Sequence, residues 1–149
     1  SAAFAPREQL SGNYLDNITR EGFNIAHDVS SYSFSALAKA FKDMINSEGS
    51  LLTLSYLGAQ QVVQNYNVMG LAKASLESSV RYIASSLGDK NIRVNSICPG
   101  YVKTPMNEDA LDEAGYEAVN LIPMKRFGEA SEVAKLAVFL ASDDASFRE

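Results

Sequence analysis

The stretch that decides the fold is LLTLSYLGAQQVVQNYNVMGLAKASLE, residues 51–77. It begins with an apolar run that ends at Tyr56, passes through a polar loop, and continues into a helical pattern that carries Tyr66 and Lys73. Such a run followed by a loop and a helix predicts a buried strand and a crossover helix. A second apolar run, IRVNSIC at residues 92–98, completes a βαβ unit, whose strands we expect to be parallel.

Three helices are predicted around these strands. The crossover helix runs from Asn65 to about Leu87, and another is predicted from Thr19, a possible cap, to Met44 because apolar residues recur there at three- and four-residue steps. A third covers Ala130 to Ala141. The sequence therefore predicts an α/β protein.

The number of strands is small for such a fold. A parallel sheet is covered on both faces and usually has several strands. Only two complete strands can be recognised here, with at most a stub in SAAFA at residues 1–5. We therefore expect residues 1–149 to form a single partial domain that lacks its opening strands and its last strand.

Composition excludes several classes of protein. The chain has 149 residues and is 46% hydrophobic, which is enough for the core of one domain. Eighteen acidic and thirteen basic residues give a net charge of -5, which opposes nucleic-acid binding. No run approaches the roughly 18 apolar residues of a membrane span, and the start lacks a signal pattern. With Cys98 as its single cysteine, the protein is expected in the cytoplasm.

Tyr66 and Lys73 are the strongest chemical candidates. Seven residues make about two helical turns, so both side chains share one helix face. Tyr56 stands at the carboxyl end of the strand, where open α/β sheets bind ligands. An ammonium beside a phenol favours the phenolate, which eases proton donation to a developing oxyanion. Spacing and placement alone leave open that these are half-buried aromatics and a solvated lysine.

Other chemical patterns are weaker. PGYVKT, residues 99–104, offers backbone amides and a hydroxyl at the same sheet edge, although a strand-ending turn explains it as well. His27 is the one histidine, so neither a metal site nor a Ser-His-Asp triad is predicted. We interpret Cys98 as a core thiol. No G-x-G-x-x-G follows a strand, so the usual phosphate-binding turn for a dinucleotide is absent.

Three stretches resemble one family. They are SAAFAP at residues 1–6, TREGFNIAHDVSSYSFSALAKA at 19–40 and LLTLSYLGAQQVVQNYNVMGLAKASLESSVRYIA at 51–84. They are similar to bacterial NADH-dependent enoyl-acyl carrier protein reductases, a branch of the short-chain dehydrogenase/reductase superfamily. Two tyrosines before the lysine are specific to that branch, whereas Thr53 stands where most of the superfamily has a serine and Ser30 where it has an asparagine. The resemblance implies a Rossmann-like, doubly wound parallel sheet.

The resemblance also implies a reaction in fatty-acid synthesis. Hydride would pass from NADH, rather than NADPH, to the β-carbon of a trans-2-enoyl thioester carried on acyl carrier protein. Tyr66 would hydrogen-bond the thioester carbonyl and stabilise the enolate, Lys73 would hold the nicotinamide ribose, and Tyr56 would orient substrate or assist protonation. Ala5 is implied as a substrate contact. The implied cofactor contacts are Ala2, Lys73, Val102, Lys103, Thr104, Pro105 and Met106.

The carboxyl third resembles a different part of the superfamily. NSICPGYVKTPM at residues 95–106 and IPMKRFGEASEVAKLAVFLASDDASF at 122–147 are similar to ketoacyl reductases and to sugar or alcohol dehydrogenases. A 3-ketoacyl or other carbonyl reductase is therefore the second hypothesis. The third is a noncatalytic assembly module, whose two long helices would pair with copies of themselves as in the homodimers and homotetramers of the family.

Overall fold

In a computed structural model of the chain, residues 2–105 and 119–147 are described. The helices are α1 (Tyr14–Asn17), α2 (Arg20–His27), α3 (Ser33–Phe41), α4 (Asn67–Leu87) and α5 (Ala130–Ala141). The strands are β1 (Ser50–Leu54), β2 (Arg93–Ile97), β3 (Val102–Lys103) and β4 (Gly128–Glu129). No helix in the described ranges is long and apolar enough to cross a membrane.

The predicted βαβ unit is present. β1 and β2 pair in parallel, with a register that runs from Ser50 opposite Arg93 to Leu54 opposite Ile97. α4 packs on this pair, and the core between them consists of buried apolar residues: Phe34, Leu76, Val80, Leu87, Ile92 and Val94. α4 begins two residues later than predicted, because Asn65 adopts a left-handed φ of 62° that a helix does not accommodate. Tyr66 therefore occupies the N-cap position.

The long helix predicted between Thr19 and Met44 contains a π-helical turn and ends earlier than expected. Thr19 is its cap, as expected, since its side chain accepts a hydrogen bond from the Gly22 amide at 3.0 Å. A π-helical turn at Asp28–Tyr32 separates α2 from α3, and α3 ends at Phe41. The predicted long helix is therefore present from Arg20 to Phe41, with a π-helical turn inside it, and only its end at Met44 was wrong.

Contacts outside the helix explain the π-helical turn. Ser30 Oγ accepts from the Phe4 amide at 2.9 Å and donates to the Phe4 carbonyl at 3.1 Å. Ser31 shares a hydrogen bond of 2.7 Å with Ser75 of α4. A widened turn points consecutive side chains at two different neighbours, and such turns are frequent at functional sites. The turn therefore fixes the segment around Phe4 relative to α4.

The carboxyl third adds the predicted helix and an unpredicted strand pair. α5 begins at Ala130 as expected, after a capping box formed by Glu129 and Glu132. β3 and β4 form a separate, short parallel pair. The sequence does not predict this pair, because a strand of two residues is too short to show a hydrophobic period. The stub expected at residues 1–5 is not a strand where the structure describes it, from residue 2 onward.

Arg93 joins β2 to the end of α5. Its guanidinium is buried and donates to the Leu140 carbonyl at 2.6 Å and the Ser142 carbonyl at 3.0 Å. We expect Arg93→Met to lower the free energy of unfolding by about 2 kcal/mol, because hydrogen bonds from a charged donor are lost while the apolar stem remains. Urea denaturation measures this. Lys90→Met, which removes an exposed ion pair with Asp43, is the control and should cost less than about 1 kcal/mol.

Candidate active site

Two tyrosine rings meet at the carboxyl edge of the two-stranded sheet. Tyr56 lies two residues beyond the end of β1, and Tyr66 stands at the start of α4. Their ring centroids are 4.8 Å apart and their planes are inclined by 63°, an edge-to-face arrangement that aromatic pairs favour. The structure therefore brings together two of the three side chains that the sequence singled out, at the edge where open α/β sheets bind ligands.

Two glycines make room for the Tyr66 ring. A Cβ atom on Gly58 would overlap the Cδ1 edge of that ring, and a Cβ atom on Gly70 would lie 2.7 Å from the Gly58 carbonyl oxygen. The ring therefore lies directly on backbone, and α4 approaches the turn at Leu57–Ala59 closely. Sequence reasoning missed both residues, although a glycine inside a helical pattern, such as Gly70, is a signal for close backbone contact.

Lys73 is buried, and its ammonium reaches the end of β1. Its Nζ donates to the Leu54 carbonyl at 2.8 Å, which ties α4 to the last residue of β1. Burial lowers the pKa of Lys73, since water no longer solvates the charge. An ammonium has three donor hydrogens, so this bond leaves capacity for further acceptors.

The expected effect of Lys73 on Tyr66 is not found. Burial, with smaller contributions from the neighbouring Tyr56 and Cys98, raises the pKa of Tyr66 to about 12. The prediction that the ammonium favours a phenolate was therefore wrong for this structure, because Lys73 hydrogen-bonds the Leu54 carbonyl. Tyr66 is a neutral phenol at neutral pH and can act as a hydrogen-bond donor.

Tyr56 has a partner that sequence analysis did not assign. Burial, together with the neighbouring Tyr101 side chain, raises the pKa of Tyr56 to about 12. Tyr101 therefore lies close enough to oppose loss of the Tyr56 proton. The Tyr101 ring in turn packs on Phe127, with centroids 6.2 Å apart. Its position just after Pro99 and Gly100, at a strand end, was the available signal.

Because of Tyr56 and Tyr66, the stability of the folded chain is expected to vary with pH in the alkaline range. The ordinary tyrosine pKa is about 10, whereas Tyr56 and Tyr66 reach about 12 in the folded chain. Between these values the unfolded chain releases protons that the folded chain keeps, so stability is complete below about pH 10 and falls as pH rises toward about 12. Urea midpoints across this range should decline, and the decline should be smaller in Tyr66→Phe. An equal decline in that variant would contradict the assignment.

Cys98 is exposed, not buried. The core-thiol interpretation was therefore wrong. β2 ends at the buried Ile97, and the next residue faces away from the core. Although Cys98 is exposed, partial burial of its thiol raises its pKa, and the Glu77 carboxylate acts in the same direction. A thiol whose pKa is raised is less reactive, which agrees with the expectation that it is not a nucleophile.

The amino-terminal segment carries two predicted site residues, and the structure places one of them, Ala5, near Tyr66. Ala5 is buried in a cluster with Val68 and Met69, and Tyr66 packs against the same cluster. Ala2 is exposed and lines a cavity of about 250 Å³ whose lining includes Ser30 and Thr53 but neither Tyr56 nor Tyr66.

Thr53, which stands where most of the superfamily has a serine, is fully buried in β1. Its Oγ1 has no hydrogen-bond partner within residues 2–105 and 119–147.

The predicted loop after β2 is described in part. Val102 and Lys103 form β3 and pair with β4, and Thr104 and Pro105 follow. Met106 lies outside the described residues. The described part of the chain holds no group of three histidine, cysteine, aspartate or glutamate side chains able to bind a metal ion.

The fold and this edge define a class of protein. A parallel βαβ unit with a tyrosine and a lysine two turns apart, facing the carboxyl end of the first strand, is typical of Rossmann-like short-chain dehydrogenases and reductases. The family model described as "Enoyl-(Acyl carrier protein) reductase" matches residues 1–148. The chain belongs to this family, and the predicted Rossmann-like α/β fold class is confirmed.

Curated relatives agree with this assignment. The chain is 50% identical over 147 residues to the NADH enoyl-[acyl-carrier-protein] reductase FabI of Escherichia coli, and the match covers 96% of the chain and 55% of that protein. It is 65% identical over 102 residues to the enzyme of the same name from Buchnera aphidicola of Acyrthosiphon pisum, with 68% of the chain and 39% of that protein covered. The chain thus spans about half the length of the curated relatives it matches, or less.

Solved structures agree as well. The enoyl-acyl carrier protein reductase of Bacillus cereus, with NADP+ and indole naphthyridinone, superposes with a TM-score of 0.89 at 42% identity, covering 97% of this chain and 57% of that one. The enzyme of Anaplasma phagocytophilum in complex with NAD gives 0.87 at 36% identity, covering 97% and 54%.

Proposed function

We propose that the intact protein carrying this chain reduces trans-2-enoyl thioesters of acyl carrier protein with NADH, as a step of fatty-acid synthesis in the cytoplasm. The observation that carries the proposal is the pair of phenols, Tyr56 and Tyr66, packed edge to face at the carboxyl end of β1. The curated relatives named as NADH enoyl reductases support the same reaction and the same cofactor.

Tyr66 is proposed to stabilise the charge that develops on the substrate. Because its pKa is raised to about 12, the phenol keeps its proton at neutral pH. It can therefore donate a hydrogen bond to the thioester carbonyl oxygen, and this bond strengthens as the carbonyl becomes an enolate. The nicotinamide supplies the hydride that reaches the β-carbon. Tyr66 holds the resulting oxyanion until the α-carbon is protonated.

Tyr56 is proposed to orient the substrate beside Tyr66. Its ring packs edge to face on the Tyr66 ring, and its raised pKa keeps the phenol neutral at neutral pH. It can thereby position the Tyr66 ring and present an aromatic edge and a hydroxyl to the substrate. Ala5, buried in the cluster on which Tyr66 packs, is proposed as the apolar surface on the other side of the substrate.

Lys73 is proposed to hold the nicotinamide ribose. Within the described residues, the buried ammonium of Lys73 donates one hydrogen bond, to the Leu54 carbonyl. Two donor hydrogens remain, which fits the hydroxyl groups of a ribose. The backbone of Val102, Lys103, Thr104, Pro105 and Met106 is proposed to line the remaining part of the nicotinamide site, and Ala2 to contact the cofactor. No glycine-rich phosphate turn stands in this sequence, so the chain's own residues account for the nicotinamide end only.

A homodimer or homotetramer is part of the proposal. α3 and α4 border a groove of about 440 Å³, whose lining includes Ala38, Ser79 and Ile83 as well as Lys39 and Lys42. Tyr82 at its rim is 76% exposed. A second copy of the same face would cover this surface. A multi-angle light-scattering mass of two or four chains is expected, and a monomeric mass would contradict it.

The reaction is tested by supplying the intact protein with NADH and either a crotonyl or a 3-ketobutyryl thioester of acyl carrier protein. Oxidation of NADH with the crotonyl substrate, and slower oxidation of NADPH, is expected. Turnover of the ketobutyryl substrate alone would favour a carbonyl reductase, as the carboxyl third of the sequence suggests. An oligomer that oxidises neither cofactor with either substrate would favour an assembly module.

A further inference from the structure

Glu77 lies on the same face of α4 as Lys73, one turn further along, and none of the roles above uses it. Its Oε1 accepts a hydrogen bond from Ser55 Oγ at 2.5 Å, and its Oε2 accepts from Gln60 Nε2 at 3.4 Å. Ser55 is buried, so the bond from its hydroxyl to the carboxylate is charge-assisted and shielded from water. The carboxylate therefore holds the chain on both sides of Tyr56.

The backbone that leads to this point is fixed from two sides. Lys73 donates to the Leu54 carbonyl at 2.8 Å, and the Ser55 amide donates to the Ile97 carbonyl at 2.8 Å, which extends the β1–β2 pairing by one residue. The turn that follows, Leu57–Ala59, is a single 3₁₀ turn without a side-chain cap. Such a turn has little stability of its own, so the carboxylate of Glu77 is the polar anchor that α4 offers to it.

We propose that Glu77 is a positioning residue for the reaction: by binding Ser55 and Gln60, it fixes the turn that carries Tyr56 against Tyr66. The inference rests on the proposed function, because only a working phenol has to be held in one place. A displacement of about 1 Å at a reacting group can lower a rate by about 100-fold. A side chain that never touches the substrate can therefore govern turnover.

The kinetic test compares Glu77→Ala with Glu77→Gln in the intact protein. Glutamine keeps an acceptor oxygen for Ser55, whereas alanine has none. We expect Glu77→Ala to lower kcat for crotonyl thioester reduction about tenfold, and Glu77→Gln to stay within about twofold of wild type. Ser55→Ala should resemble Glu77→Ala, and the double variant should be no slower than either single variant. Equal loss in both Glu77 variants, no loss in Glu77→Ala, or additive losses would overturn the proposal.

A second readout needs no turnover. The pKa of Tyr56, obtained by ultraviolet titration of the protein against its Tyr56→Phe variant, is expected to fall from about 12 toward about 10 in Glu77→Ala, because the loosened turn admits water. It should not change in Glu77→Gln. If the protein reduces no enoyl thioester, the proposed function fails, and this titration alone decides on Glu77: an unchanged pKa overturns the positioning role. Ser55→Ala serves the same purpose if Glu77→Ala does not fold.

Discussion

Tyr66→Phe is expected to lower kcat for enoyl thioester reduction by about 10²- to 10³-fold while KM changes little. The variant removes the one hydroxyl proposed to donate to the developing enolate, and losing a single oxyanion donor costs about this much. The ring itself remains, so its packing against Tyr56 and on Gly58 is kept. Steady-state rates of NADH oxidation with a crotonyl thioester give the result.

The control is Tyr32→Phe. Tyr32 ends the π-helical turn and is 62% exposed, so losing its hydroxyl should change neither rate nor stability measurably. A Tyr66→Phe protein that keeps more than about a tenth of wild-type kcat would contradict the role of Tyr66 as the oxyanion donor.

Gly58→Ala is expected to lower kcat about 100-fold although no functional group is removed. The added Cβ would overlap the Tyr66 ring, so either the ring or the turn at Leu57–Ala59 has to move. Movement of either one separates the two phenols, and misplacement of reacting groups by about 1 Å has an effect of this size. Gly70→Ala should act in the same direction, because its Cβ would lie 2.7 Å from the Gly58 carbonyl oxygen.

Gly100→Ala is the control for these glycine variants. It stands in the other loop at the same sheet edge, and apart from its chain neighbours no heavy atom of residues 2–105 and 119–147 lies within 4 Å of the Cβ that alanine would add. Its rate should stay within about twofold of wild type. If Gly58→Ala is as active as Gly100→Ala at equal stability, then the ring of Tyr66 does not depend on contact with that backbone.

Periodicity was enough to predict the main elements. Apolar runs gave β1 and β2, the recurrence of apolar residues gave α4 and α5, and the long helical crossover between the strands predicted that they are parallel. The π-helical turn at Asp28–Tyr32 was not predictable, because it depends on the hydrogen bonds of Ser30 to Phe4, which is 26 residues away. The β3–β4 pair was missed because each strand has only two residues.

The sequence predicted that Tyr56 and Tyr66 meet at one edge of the sheet, but it did not predict the electrostatics of this edge. Helical spacing placed Tyr66 and Lys73 on one face, yet it could not show that the ammonium binds the Leu54 carbonyl. For the same reason the direction of the Tyr66 pKa shift was wrong, since burial outweighs any charge that is not in contact. Tyr101 and Glu77 were missed because their partners, Tyr56 and Ser55, are reached only through the fold.

The central claim is that the two phenols and Lys73 serve hydride transfer to an enoyl β-carbon. Its most direct test follows deuterium from NADH labelled at C4 of the nicotinamide into a crotonyl thioester, with mass spectrometry of the product from the intact protein. One deuterium at C3 is predicted, together with a loss of most of this product in Tyr66→Phe. Label found only on the carbonyl carbon of a ketoacyl substrate, or no label in any product, would contradict the claim.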